Sequence, residues 1–476
     1  MLLRNLRLDG AAVDIRIEDG VIAEMGAIAG EGHDFSGRAV IPGLWDNHVH
    51  FGQWAMQSQR LDVSAASSAR EVAEWVGARV STGSTRSSVL RVEPVGTRRI
   101  FVAVGYRDGL WPDTPTASVL DETTGDVPVV VICGDLHAVW LNSAALAHFG
   151  LTGDGVLREE PAFDITRAVG RVDENILDAW ARQAGLNAAK RGVVGFADLE
   201  MDWGVETWQR RIAAGFDTQR VEFAVYTQFL DRAVELGFST GQLLSELLSV
   251  GRYKVLTDGS LNTRTAYCVD PYPGTDDRGL LEISPEALQT RMRQAWLAGL
   301  EPTVHAIGDA ALTVALNAFE AVGARGWVEH AQLVDDSDLS RFAELGVTAS
   351  MQPEHAMDDR DVADRYWAGR THRVIPARSL LDAGARLAFG SDAPVAPLDP
   401  WVTMAAAVSR SRDGRDPWHP EQRIRVAEAL EASTRSAVAV GEPADLVVLD
   451  AELTAETLRT MPVHATMLAG RFTYRA

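Results

Sequence analysis

Eight short apolar runs alternate with helix-patterned stretches along this chain, and no other feature constrains its fold as strongly. The runs are VIPGLWDNHVH (40–50), GVVGFADLE (192–200), VEFAVYTQF (221–229), YKVLTDG (253–259), PTVHAIGD (302–309), WVEHAQ (327–332), VTASMQP (347–353) and RLAFGSD (386–392). Between them lie helical stretches such as ALQTRMRQAWLAG (287–299), AALTVALNAFEAVG (310–323) and DSDLSRFAELG (336–346). Strands alternating with helices read as βα units around a parallel sheet, and eight such units close a (β/α)8 TIM barrel. One enlarged α/β barrel also accounts for 476 residues, a length that would otherwise suggest about three domains.

Two regions stand outside the alternation. Residues 1–39 hold the strand-like segments LLRNLRL, AVDIRIEDG and VIAEMG, with a turn at Asp19-Gly20. The C-terminal stretch holds ADLVVLD and ATMLAGRFTYR, with a turn at Ala469-Gly470. Neither segment can bury a core alone, so 1–39 and 437–476 are expected to pair into one small β-sandwich beside a barrel spanning 40–436. Residues 51–191, between the first and second runs, contain RRIFVAVGY (98–106) and VPVVVIC (127–133), which could be counted as barrel strands. Reading them as a large insertion instead keeps the polar residues discussed below in register. With the flanking Trp45, this region carries Trp54, Trp75, Trp111, Trp140 and Trp180 of the 13 tryptophans. An insertion at the catalytic end of a barrel usually shapes the pocket, so Trp-rich walls and a substrate with an apolar or aromatic substituent are expected.

The charge balance narrows the partners. With 66 Asp+Glu against 45 Lys+Arg, a net charge of −21 and no basic stripe, the chain lacks what phosphate neutralisation demands, and nucleic acid is not an expected partner. No apolar stretch reaches about 18 residues, which argues against a membrane span. The N-terminus shows no uninterrupted apolar segment with a small-residue cleavage site, and two cysteines, Cys133 and Cys268, cannot build a disulfide framework. A cytoplasmic location is expected. The basic residues are 43 Arg and only two Lys, Lys190 and Lys254, so each lysine invites a question.

Chemistry-bearing side chains cluster at the ends of the runs. His48 and His50 are two apart, which puts both on one strand face. His305 ends the fifth run, His330 the sixth and Asp392 the eighth, each just before a loop. Catalytic residues of (β/α)8 barrels come from such C-terminal strand ends, and these are metal-ligand residue types. Lys254 sits in the apolar fourth run, where a free ammonium is costly to bury and where a chain so rich in Arg has chosen an amine. It could lie at an exposed strand start, or pair with an Asp. A carbamate formed with CO2 would instead make it an anionic oxygen ligand able to bridge two metals.

This constellation resembles the binuclear metal-dependent amidohydrolase superfamily. The motifs PGLWDNHVH (42–50), GDLHAVWLNSAAL (134–146), YKVLTDGSLNTRTA (253–266), HAIGDAAL (305–312), EHAQ (329–332), SMQPEH (350–355) and FGSDAPV (389–395) are similar to its amidohydrolase-3 branch, which includes N-substituted formamide deformylases. The likeness runs from about residue 2 to the C-terminus. One departure is VAVGEPADLVVLD (438–450), shorter than the family's usual stretch and without its lysine before Ala444-Asp445; it touches the terminal strands rather than the metal ligands.

The resemblance implies a carboxylated Lys254 and terminal segments that form the small sandwich. It further implies two divalent ions, one held by His48, His50 and Asp392 and the other by His305 and His330, with Lys254 and a hydroxide bridging. Zinc suits mixed His/carboxylate sites, with iron or manganese as alternatives. Asp392 would serve as ligand, general base and general acid in hydrolysis of a non-peptide C–N bond, for example in an N-substituted formamide. Carbamates, ureas, esters, cyclic amides and deamination are alternatives on the same site, and an isomerase or lyase is a more distant one. A homodimer is the family-like expectation.

His137 matches a motif position and could meet the substrate or a developing oxyanion. Trp140 of the same motif is expected near the substrate, and Asn142 caps the following helix. Asp258 and Asp309 could each orient a ligand histidine or cap a helix. Arg264, Gln352 and His355 lie near strand ends and could line the pocket. His33, His148, His419 and His464 have no motif context.

Overall fold

In the computed structural model, which describes residues 1–81, 100–170 and 172–476, the eight apolar runs form eight parallel strands paired in chain order. They are β1 (Leu44–Val49), β2 (Val193–Asp198), β3 (Arg220–Tyr226), β4 (Leu248–Leu256), β5 (Pro302–Ala306), β6 (Gly326–His330), β7 (Val347–Met351) and β8 (Arg386–Phe389). The ring closes between β8 and β1. Asn47 Nδ2 donates to the Phe389 carbonyl at 2.9 Å, the Asp392 amide to the His48 carbonyl at 2.7 Å, and the His50 amide to the Ala393 carbonyl at 2.7 Å. β1, β2, β5 and β7 are buried along their whole length, as expected of parallel strands covered outside by helices and packed inside.

The helices behave as their spacing demands. In Asp309–Val322 the buried positions Ala311, Leu312, Ala315, Leu316 and Phe319 form one stripe against the barrel, and Gly323 ends the helix in a left-handed conformation. Pro285–Leu297 starts behind Ser284, whose side chain accepts from the Ala287 amide.

Strands from both chain ends share one seven-stranded mixed sheet. Leu2–Leu8, Ala11–Glu18, Val21–Gly26 and His33–Pro42 from the front join Leu446–Leu449, Val463–Leu468 and Arg471–Arg475 from the back. The seam is the antiparallel pairing of Val40 with Val448. His33–Pro42 carries the chain into β1 through Gly43, where a Cβ would lie 2.4 Å from Val194 Cγ2, so only glycine fits the crossing.

The region 51–191 builds its own five-stranded sheet, separate from the barrel. Its order is Val156–Arg158, Ala138–Leu141, Val129–Cys133, Phe101–Tyr106 and Leu61–Asp62. RRIFVAVGY and VPVVVIC are therefore strands of an insertion; residues 98–99 of the first lie outside the described residues. Its tryptophans do not line the pocket as expected. Trp140 is fully buried, donates to the Thr116 carbonyl at 2.9 Å and packs edge-on to Tyr106, with Trp75 and Trp111 against the same core. Trp45 packs on Val194 and Leu468. A two-faced sheet needs two cores: the rings of Trp75, Trp111 and Trp140 fill one, and aliphatic residues such as Val102, Val130, Ile132 and Leu141 fill the other. Among the described residues no helix is long and apolar enough to cross a membrane.

Candidate metal centre and substrate cavity

The C-terminal ends of β1, β4, β5, β6 and β8 bring His48, His50, Lys254, His305, His330 and Asp392 together at the floor of one cavity of about 520 Å³. Strand alternation explains His48 and His50. It does not explain β6, where the adjacent residues Glu329 and His330 are both buried at the site. His330 and Ala331 are left-handed, with φ of 71° and 41°, and this backbone reversal lets neighbours point the same way. Asp392 is likewise left-handed, φ 56°, in the turn after β8. Backbone outliers held in this way concentrate at functional sites.

His48 Nε2 lies 3.3 Å from Asp392 Oδ1, and His50 Nε2 lies 3.4 Å from the same oxygen. His48, His330 and Asp392 offer ligand atoms within 4.8 Å of one another. The His330 ring stands 4.5 Å from His305 and 4.9 Å from His48, centroid to centroid. Glu329, which carried no role in the sequence reading, accepts from His48 Nδ1 at 2.7 Å and from Thr303 Oγ1 at 2.5 Å. That bond fixes the His48 tautomer and turns Nε2 toward Asp392. His305 Nε2 faces the Gly259 carbonyl at 3.3 Å and Asp258 Oδ1 at 3.5 Å, which leaves Nδ1 as the nitrogen available to a cation.

The electrostatics favour cation binding. Burial and neighbouring positive groups hold His305 and His330 well below the ordinary imidazole range, so both rings keep a free lone pair at neutral pH. Burial opposes charge on Asp392, yet His48 and His50 hold its carboxyl well below the usual range. Glu329 is likewise opposed by burial but brought down to about 2 by His48 and Lys254. Burial lowers Lys254, whose Nζ is buried with no hydrogen-bond partner, as is Nδ1 of His330. Unpartnered polar atoms in a cage of imidazoles and carboxylates fit a metal centre, which would satisfy them.

His137 reaches the site from the insertion. Its ring lies 6.1 Å from that of His305, and its Nδ1 is 2.8 Å from Glu159 Oε2. Burial works against its charge, but the Glu159 bond, with Glu159 and Asp135 nearby, raises it to about 9. Glu159 is itself held by Thr265 Oγ1 at 2.6 Å, a contact between positions distant in sequence. Gln352 is buried beside His48, Nε2 to Nδ1 3.3 Å, and His355 lines the cavity with Nε2 3.9 Å from Asp392 Oδ2. Burial pushes Asp258 up to about 7; it accepts from the amides of Ile307, Gly308 and Tyr267 and so shapes the loop after β5.

Three expected contacts lie elsewhere. Asp309 accepts from the Val269 amide at 2.8 Å and pairs with Arg373 at 2.9 Å, because the start of its helix turns it away from His305. Arg264 is exposed over the Tyr366 ring at 5.6 Å. Trp140 is in the insertion core, and the tryptophans lining the cavity are Trp203 and Trp208, from the loop and helix after β2. Trp208 is held by a 2.7 Å bond to Asp198.

A (β/α)8 barrel with metal-ligand side chains gathered at its strand ends defines a class of metal-dependent hydrolases, and comparison with known proteins narrows it. The profile of the amidohydrolase family matches residues 31–474, and the chain belongs to that family. It is 29% identical to Protein LONG AFTER FAR-RED 3 of Arabidopsis thaliana, over 90% of this chain and 80% of that protein. It is 25% identical to the N-substituted formamide deformylase of Arthrobacter pascens, over 93% of this chain and 89% of that enzyme. A solved metal-dependent hydrolase of Pyrococcus horikoshii shares the fold at 24% identity and a TM-score of 0.77, covering 95% of this chain and 97% of that one. The protein is a hydrolase of the amidohydrolase family.

Proposed function

We propose that this enzyme hydrolyses the C–N bond of a small amide, with N-substituted formamides as the leading substrate class, at a centre for two divalent ions. The observation that carries the reading is the convergence of His48, His50, Lys254, His305, His330 and Asp392 on one buried cavity floor. His48, His50 and Asp392 would hold one ion, His305 and His330 the other, and a carboxylated Lys254 would bridge them. Bound divalent ions, with zinc best suited to these ligands, supply a lowered pKa for water and polarisation of the substrate carbonyl.

The chain's own residues supply the rest. Asp392, kept anionic by its histidine neighbours, takes the proton of the attacking water and returns it to the leaving nitrogen. His137, kept protonated by Glu159, stands over His305 on the cavity side, where it can donate to the oxygen that gains charge. The formamide class is supported by the likeness to the deformylase of Arthrobacter pascens.

The test is a panel of N-substituted formamides, carbamates and hydantoins offered to metal-replete enzyme, with metal content measured alongside. Formate release that is lost in Asp392→Asn is the expected result. An Asp392→Asn enzyme with near-normal turnover, or an active enzyme free of metal, would sink the mechanism; turnover of carbamates alone would replace the substrate class.

A further inference from the structure

The hydrolase reading fixes the amide end of the substrate, and the cavity wall beyond the floor speaks to the other end. The helix α1 (Phe51–Gln57) leads away from His50, and Arg60 follows its last turn. Five guanidinium groups line the cavity, those of Arg60, Arg107, Arg167, Arg210 and Arg211. Four have carboxylate partners: Arg107 meets Asp358 at 3.3 Å, Arg167 meets Asp164 at 2.6 Å, and Arg210 and Arg211 meet Asp178 at 2.7 and 3.2 Å. Arg60 has none among the described residues. Its Nε is buried without a hydrogen-bond partner, and its Nη2 donates only to the Met56 sulfur and, at 3.3 Å, to the Val169 carbonyl.

A thioether is a weak acceptor and a carbonyl carries no charge, so this half-buried cation is not neutralised by the protein. Burial brings it down to about 10, and it stays charged at neutral pH. The imbalance is not for want of acids in a chain with 66 of them. Of the cavity acids, Asp198 accepts from the Phe51 amide and Trp208, Glu200 accepts from the amide and side chain of Gln53, and Asp202 also lines the wall; none of the three pairs with Arg60. Around Arg60 the wall is apolar, formed by Met56 with Val172 and Leu177 packed on it.

We propose that Arg60 receives a carboxylate at the far end of the substrate, so that the preferred amides carry an apolar nitrogen substituent ending in a negative charge. The proposal rests on the amide-hydrolase reading for the position of the scissile bond. Seven residues of α1 at about 1.5 Å each put the spacer on the order of 10 Å. A planar guanidinium with free donors matches a carboxylate in two-point contact, which a lysine ammonium does not reproduce.

The experiment compares N-formyl-ω-aminooctanoate with N-formyloctylamine on metal-loaded, full-length enzyme. The carboxylate substrate should lead by at least about tenfold in kcat/KM, mostly through KM, a ratio in line with a charged hydrogen-bonded pair. Arg60→Met should erase that lead and leave the neutral substrate unchanged, while Arg60→Lys keeps part of it. No preference in the parent enzyme, or an equal loss on both substrates in Arg60→Met, overturns the proposal. Binding of octanoate against octanol, followed by the fluorescence of the cavity tryptophans, separates it from the hydrolase reading. Octanoate preference that depends on Arg60 without hydrolysis of either formamide would fault only the reaction assigned; hydrolysis of both without octanoate preference would fault only the role of Arg60.

Discussion

Glu329 shows how much of this site depends on one residue that touches no reacting group. It is fully buried, and its two oxygens are used, one on His48 and one on Thr303. Partners of this kind set the tautomer and aim of a ligand imidazole, and their loss typically lowers metal affinity by about 10–100-fold. Glu329→Gln keeps the shape and discards the charge. Its apparent affinity for zinc, measured by competition with a chelator, should fall within that range, and an unchanged affinity would reduce Glu329 to a space-filler. Asp46 does comparable work on the backbone: its Oδ1 accepts from the amides of both His48 and Ser391, tying the β1 ligand to the turn that carries Asp392.

At the level of elements, the seam between β8 and β1 is where the barrel closes and where the site is most sensitive to volume. Gly390 sits in that seam, and a Cβ there would approach the His48 amide nitrogen and Cβ at 2.6 Å. Backbone cannot yield as a side-chain tip can, so Gly390→Ala should cost about 1–3 kcal/mol and displace His48. Calorimetry should show the lowered melting temperature, and turnover should fall by more than the unfolded fraction explains.

A second element-level case is the helix Val426–Ala432, which Glu428 caps by accepting from the Arg425 amide at 2.7 Å, with Arg378 also on its carboxylate. The hydrogen bond from the Arg425 guanidinium at 2.7 Å, with the Arg425 amide and Arg378 adding to it, lowers Glu428 from 4.5 to about 2. An acid lowered in the folded state stabilises above its unfolded pKa and loses that contribution as pH falls through the folded one. The melting-temperature gap between the parent and Glu428→Gln should therefore be full above pH 4.5 and shrink toward pH 2; a gap that persists unchanged down to pH 2 would contradict it.

For the whole molecule, the proposed centre would link metal and stability, because the residues assigned as ligands come from the ends of five different strands. Ions that bind the folded barrel and not the unfolded chain stabilise by mass action, about 2.7 kcal/mol at a hundredfold excess over Kd. Treatment with a chelator should abolish activity and lower the melting temperature together, and zinc should restore both. Activity lost with an unchanged melting temperature would mean that the metal contributes chemistry but no folding energy.

The eight barrel strands were legible in the sequence because parallel strands buried on both faces read as unbroken apolar runs, and the metal-ligand residue types stood at the ends of those runs. The strands of 51–191 could be set apart from the barrel as well, since counting them in would have moved Lys254, His305, His330 and Asp392 off the fourth, fifth, sixth and eighth strands. The partners of the ligands were not legible. Glu329 neighbours His330, and strand alternation would have sent it outward; only the left-handed backbone at His330 turns both inward. Asp309, Arg264 and Trp140 stood near the right motifs but answered to helix starts, an exposed loop and an insertion core. Glu159 and Arg60 gave no signal, because one matters through a fold-dependent contact with His137 and the other through the absence of a carboxylate. Local apolar periodicity and residue type determine which strands form and what chemistry their ends carry. Which polar groups meet, and which are left without a charged partner in an apolar wall, is decided by packing between segments far apart in the chain.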